Sequence, residues 1–149
     1  MRKKHIVSLL LISLAVIAVT LLVKNHSNEQ AEAYKNLFAG NVGLTSITFE
    51  GQQKSIKIDD RFILDDFENA FKNKAERLHN SGICYNVVFI LKTGTKIKTV
   101  IYFYEDKSGF EVADYSRMGA GDPAYVNVDF PKEINSKTQE LLGQLLPKK

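Results

Sequence analysis

Side-chain catalysis needs groups that can give up protons or electron pairs, and beyond residue 30 this sequence offers one histidine and one cysteine for that work besides its carboxylates. His79 is the only histidine there, because His5 and His26 flank an apolar run near the N-terminus. A nucleophilic triad would have to be built on His79. Its place beside Asn80 at a predicted helix C-terminus, where a cation is favoured, instead predicts a structural or solvated role. Neither G-x-S-x-G nor H-E-x-x-H occurs. Cys84, the single cysteine, rules out an internal disulfide framework and any multi-cysteine zinc site. It can pair only with another chain, and its apolar strand context predicts a buried small hydrophobe.

Two carboxylate pairs, Asp59-Asp60 and Asp65-Asp66, suggest a divalent cation or acid–base chemistry. Adjacent residues on a helix point in different directions, however, and acids at a helix start are expected as caps. Glu105-Asp106-Lys107-Ser108-Gly109 lacks the alternating oxygen ligands of a calcium loop. No metal site and no cofactor are therefore expected. The Gly-x-Gly of Met118-Gly119-Ala120-Gly121-Asp122 precedes a predicted strand, whereas a phosphate-binding fingerprint opens a helix. This glycine-rich connection is instead the loop best suited to touch a partner, through Met118, Gly119 and Gly121.

Tyrosine supplies the other candidates. Five of the six tyrosines, Tyr85, Tyr102, Tyr104, Tyr115 and Tyr125, lie in the strand-rich half of the chain. A tyrosine ring offers a large apolar area and a hydroxyl at low entropy cost, which suits binding surfaces, although strands also favour it for packing. Tyr85, Lys98, Tyr102 and Tyr104 are the candidate binding residues on the sheet.

The elements that must position these residues follow from periodicity. Thr45 to Glu50 and Ser55 to Asp59 alternate at period two around a Gly51-Gln52-Gln53-Lys54 turn, giving a first hairpin. Ile63, Phe67, Phe71, Ala75 and Leu78 then form one helical stripe, capped at Asp59 or Asp60, or at Asp65 with Glu68. Ile83 to Leu91, Lys96 to Tyr104, Phe110 to Ala113 and Tyr125 to Phe130 read as four more strands. Ile134, Leu141, Leu142, Leu145 and Leu146 mark a C-terminal helix that Ser136 and Gln139 would cap. The order β-β-α-β-β-β-β-α with short turns predicts an α+β fold. Its mainly antiparallel sheet of five to six strands packs against one long helix and a C-terminal helix.

Which sheet face each residue takes depends on the loop at Thr93-Gly94. A loop of two or four residues makes paired numbers sum to 187 and puts Cys84, Asn86, Val88 and Ile90 with Ile97, Thr99, Ile101 and Phe103 beneath the helix. Tyr85, Val87, Phe89 and Leu91 would then join Lys96, Lys98, Val100 and Tyr102 on a wetter face. A loop of three residues inverts that assignment.

The chain has 149 residues, 44% of them hydrophobic and 25% charged, which suits one folded domain and not a disordered or collagenous chain. Its net charge of +3 belongs to the leader: Arg2, Lys3, Lys4 and Lys24 leave 16 basic against 17 acidic residues elsewhere. No nucleic-acid-binding face is implied. Ile6 to Val23 is free of charge over 18 residues, and a helix of that length is about 27 Å long against a hydrocarbon layer of about 30 Å. Three cations precede the run and one follows it, which predicts a cytoplasmic N-terminus and a translocated remainder.

A cleaved signal peptide is the alternative. Its only A-x-A site, Ala31-Glu32-Ala33, lies far beyond Val23, and the apolar run is longer than a usual signal core. The expected organisation is a cytoplasmic basic segment (1–5), a transmembrane anchor or signal peptide (6–23), a stalk (24–41) and an extracytoplasmic domain (42–149). The bilayer is one expected partner, through Ile6 to Val23, and an extracytoplasmic protein or envelope component the other. A non-enzymatic binding module fits best. The alternatives are a small hydrolase or metal-dependent enzyme using His79 and the Asp pairs, and an inhibitor or immunity-type partner of a secreted enzyme.

Overall fold

A computed structural model describes residues 2–51, 54–73, 82–106, 108–115, 124–129, 137–138 and 140–143. One helix, α1 (Arg2–Phe38), runs without a break from the basic leader through the apolar run and into the domain. Then come β1 (Leu44–Glu50), β2 (Ser55–Ile58), α2 (Arg61–Lys72), β3 (Gly82–Leu91), β4 (Lys96–Tyr104), β5 (Gly109–Asp114) and β6 (Ala124–Asp129). The strands form one sheet in the order β2-β1-β3-β4-β5-β6, and every neighbouring pair is antiparallel. Residues 137–138 and 140–142 are helical, and Thr138 and Leu142, one turn apart, are both fully buried. The α+β architecture and the element order are those expected.

Leu10 to Phe38 includes a stretch long and apolar enough to cross a membrane, and its apolar side chains from Leu10 to Val23 are exposed. The few hydroxyls in this stretch turn back on their own helix: Ser13 Oγ donates to Leu10 O at 3.2 Å and Thr20 Oγ1 to Val16 O at 2.8 Å. Each of these two hydroxyls is thus satisfied within its own helix.

The core lies on one face of the sheet. Ile47 and Phe49 of β1, Tyr85, Val87, Phe89 and Leu91 of β3, and Ile97, Ile101 and Phe103 of β4 meet Phe110, Val112 and Val128 there. From α2, Leu64, Phe67, Ala70 and Phe71 point into this layer, and Asp60 caps the helix by accepting from Phe62 N and Ile63 N. Phe71 is the hub, with ring centroids at 5.9 Å from Phe38, 5.6 Å from Phe89 and 5.9 Å from Phe110. Residues upstream of Val42 belong to this core as well: Ala33, Tyr34, Leu37 and Phe38 are buried.

The last turns of α1 also complete an open sheet edge. β5 pairs with β4 only from Ile101 to Phe103, so among the described residues no strand meets the outward carbonyls of the first half of β4. Gln30 Nε2 donates to Lys96 O at 3.3 Å and Tyr34 Oη to Lys98 O at 2.5 Å. β1 shows a parallel case, since β2 reaches only as far as Ile47. Beyond it, Leu44 N donates to Glu68 Oε1 at 2.6 Å, and Arg61 Nη1 donates to Leu44 O at 3.0 Å. Buried edge groups are costly when unpaired, so helix side chains stand in for the missing strands.

The β3–β4 register corrects the two- or four-residue-loop assignment. Paired numbers sum to 186, with Tyr85 opposite Ile101 and Cys84 opposite Tyr102. The loop is Lys92-Thr93-Gly94: Gly94 N donates to Leu91 O at 2.8 Å and Leu91 N to Thr95 O at 3.0 Å. Gly94 has φ +85°, so this is a type I turn closed by a left-handed residue. The β4 half of the expected dry face holds, because Ile97, Thr99, Ile101 and Phe103 are buried. The β3 half is inverted. Tyr85 lies in the core, 5% exposed, and Cys84 is exposed instead of buried.

Candidate functional site

The second face of the sheet carries Cys84 and Asn86 from β3, Lys96, Lys98, Val100, Tyr102 and Tyr104 from β4, Glu111 and Ala113 from β5, and Tyr125 and Asn127 from β6. Residues directly opposite in antiparallel strands share a face, so the register sets this membership. One row crosses four strands as Cys84, Tyr102, Glu111 and Asn127. Tyr125 stands opposite Ala113 in the next row.

Tyr102 and Tyr125 are two strands apart, yet their ring centroids are 5.8 Å from each other and cross at 71°. Two strand spacings are about 9.6 Å, so the rings must lean together over β5. The small side chain of Ala113 leaves room for them. Burial, then the Cys84 thiol and the Tyr125 hydroxyl beside it, raises the Tyr102 phenol above the ordinary tyrosine value. Burial raises Tyr115 too, helped by Tyr125 and Cys84. These four residues form one cluster at the β3–β4–β6 corner. Tyr125 is 40% exposed and Tyr115 36%, and Cys84 is exposed with them, so the cluster presents aromatic surface to the outside.

Of the residues chosen from sequence, Lys98 and Tyr102 share this face, Lys98 being exposed and Tyr102 half-buried. Tyr104 is on the same face but is 1% exposed, and its hydroxyl donates to Asn127 Oδ1 at 2.6 Å. It lies beside Gly109, where an added Cβ would stand 2.1 Å from Val128 O and 3.2 Å from Tyr104 Cε2. Tyr104 therefore fills the fold and is not free to bind. Tyr85 is on the opposite face, against Phe49 and Phe103 at ring distances of 6.0 Å each, and burial raises its phenol. Met118, Gly119 and Gly121 lie outside the described residues, as does His79.

The carboxylate pairs serve separate elements. Lys57 Nζ stands 3.2 Å from Asp59, Asp60 caps α2, and Asp65 pairs with Arg61. Burial and then the charge of Asp65 raise Asp66. Among the described residues no group of three His, Cys, Asp or Glu side chains is placed to hold a metal ion.

Tyr115 and Tyr125 join the site although periodicity does not single them out, and the signal for their meeting is Gly94. Glycine at the third position of a three-residue loop marks the turn that puts Cys84 beside Tyr102. Comparison of the chain with protein-family models, with curated proteins and with solved structures finds no match.

Proposed function

We propose that the protein is a membrane-anchored extracytoplasmic module that binds a protein or envelope component through the tyrosine corner of its sheet. The observation that carries this reading is the Tyr102–Tyr125 pair, flanked by exposed Tyr115 and Cys84. Aromatic rings held against each other by the sheet lose little entropy on binding, and they combine apolar area with hydroxyls for orientation. An enzyme built on His79 and the aspartates has less support, because Asp59, Asp60 and Asp65 are each engaged in holding secondary structure.

The exposed apolar part of α1 supports the anchor, and the three cations ahead of it support a cytoplasmic N-terminus. Retention of the anchor is supported by the A-x-A site itself. Ala31 to Ala33 are helical, and Ala33 is packed in the core, so a processing enzyme would have to unwind folded structure to reach them.

The binding test compares full-length protein, solubilised from its own membrane, with Tyr102→Ala and Tyr125→Ala variants of unchanged melting temperature. A component retained by the wild type and lost by both variants is the expected result. Equal retention by all three overturns the tyrosine corner as the site. Protease added to intact cells should digest the domain, and protection until lysis would overturn the outward orientation.

A further inference from the structure

We propose that the end of the domain nearest the membrane docks on anionic phospholipid headgroups of the leaflet from which α1 emerges. The docking elements are the β3–β4 hairpin tip, with Lys92, Lys96 and Lys98, and the exposed ring of Phe62. This rests on the reading that Ile6 to Val23 spans the bilayer.

The height of the tip follows from the helix. Because α1 is unbroken to Phe38, His26 to Gln30 lie about 5–10 Å beyond Val23 at about 1.5 Å per residue. The headgroup zone is about 5–8 Å deep on each side of the hydrocarbon layer. The hairpin tip is level with these residues. A cleft of about 690 Å³ between helix and hairpin is lined by His26, Glu29, Gln30, Thr93, Lys96 and Lys98, among others. Direction follows from two hydrogen bonds. One turn back along α1, from Tyr34 to Gln30, matches two residues back along β4, from Lys98 to Lys96. The tip therefore points at the bilayer.

The chemistry of this end suits an anionic surface. Lys92, Lys96 and Lys98 are exposed, and none of them is in an ion pair with another described residue. Lys24 is exposed where the helix leaves the apolar run. Most carboxylates nearby are engaged: Glu32 with Lys35, Asp59 with Lys57, Asp60 at the cap, and Asp65 and Glu68 on Arg61. Glu29 is the acid that lines the cleft.

Phe62 adds an apolar contact. Arg61 bonds Leu44 O, and Leu44 pairs with Leu91 at the base of the hairpin, so α2 starts at the same end of the domain. Phe62 is 83% exposed, and side chains in a first helical turn lean towards the helix N-terminus, here towards the bilayer. Aromatic rings are favoured in the interfacial zone. At the opposite end the turns expose Glu50, Glu105 and Asp106 together with Lys54.

The test uses full-length protein with Cys84→Ser in nanodiscs, carrying a nitroxide at Thr93→Cys, Glu105→Cys or Ala15→Cys. The discs are phosphatidylcholine alone or phosphatidylcholine with phosphatidylglycerol, each with a trace of lipid bearing a headgroup nickel chelate. In the anionic discs the Thr93 label should relax several times faster than the Glu105 label. That excess should fall at least about threefold without phosphatidylglycerol or with Lys92, Lys96 and Lys98 all changed to Gln, and by less with Phe62→Ser. Equal relaxation at Thr93 and Glu105, or an excess indifferent to lysines and lipid charge, overturns the docking. The Ala15 label should be reached by oxygen and not by a water-soluble chelate. Access by the chelate would overturn the spanning reading itself, a failure distinct from loss of docking around an intact span.

Discussion

Tyr104 and Tyr102 are two residues apart on one strand face, yet their environments assign them different work. Tyr104 is closed off, and its hydroxyl bonds Asn127 at 2.6 Å. Tyr104→Phe should lower stability by about 1 kcal/mol in urea unfolding, the usual net worth of one such bond, with the fold kept. An unchanged midpoint would show that the bond contributes nothing. The phenols of Tyr85, Tyr102 and Tyr115 are all raised, with burial as the first cause. A raised value means that the native state holds the proton more tightly than the unfolded chain. Their contribution is then complete below the ordinary value of about 10 and is lost as pH climbs through the higher native values. Stability should stay level with respect to these groups up to about pH 9 and decline above about pH 10. Absorbance at a phenolate wavelength should show these tyrosines ionising together with unfolding, whereas the urea-unfolded chain titrates near the ordinary value. Titration of every tyrosine near that value in a protein still folded would contradict the assignment.

At the scale of elements, α1 is both leader and core helix. Tyr34, Leu37 and Phe38 are almost fully buried, and burying side chains of this size is worth about 1.5–3 kcal/mol each. Their sum, about 5–9 kcal/mol, is comparable to the whole stability of an ordinary domain, about 5–15 kcal/mol. A chain starting at Val42 should therefore lack a cooperative thermal transition, and one starting at Asn28 should show one. A sharp melt of the shorter chain would separate α1 from the folding unit. The sequence of Asn25 to Ala39 conceals this role, because its one buried face is written in Ala33, Tyr34, Leu37 and Phe38 among polar neighbours. Elsewhere the pattern was plain. Alternation at β1, β2, β4 and β6 and the Phe67/Phe71 stripe gave the order of elements and the antiparallel sheet. What stayed hidden was the facing of β3, since Ile83 to Leu91 is apolar at both parities and cannot register itself. Only the backbone of the loop does so, through Gly94. The tyrosine corner was hidden for the same reason: Cys84, Tyr102 and Tyr125 come from three strands whose meeting depends on that register and on a small residue at Ala113.

At the scale of the whole molecule, an unbroken helix joins the apolar run to the domain, so in the proposed membrane setting residue count sets the reach and facing of the domain, and the tilt of α1 decides how closely the hairpin tip meets the headgroups. Seven alanines inserted between Lys24 and Asn25 would lift the domain by about 10 Å, beyond a headgroup zone of about 5–8 Å. Seven residues are close to two full turns, so the facing of the domain would change by only about 20°. The inserted helix should therefore lose the excess nickel relaxation at Thr93 while keeping the thermal transition of the domain and whatever the tyrosine corner retains. Two inserted residues would give the opposite combination, a lift of about 3 Å with a rotation of about 200°, which turns the hairpin to the other side of the helix axis. Because the domain rotates as one body with α1, headgroup contact should fall less with two residues than with seven. If both insertions leave the Thr93 signal as it was, the helix between Val23 and Gln30 does not act as a rigid spacer, and the height argument fails while the tyrosine corner stands untouched.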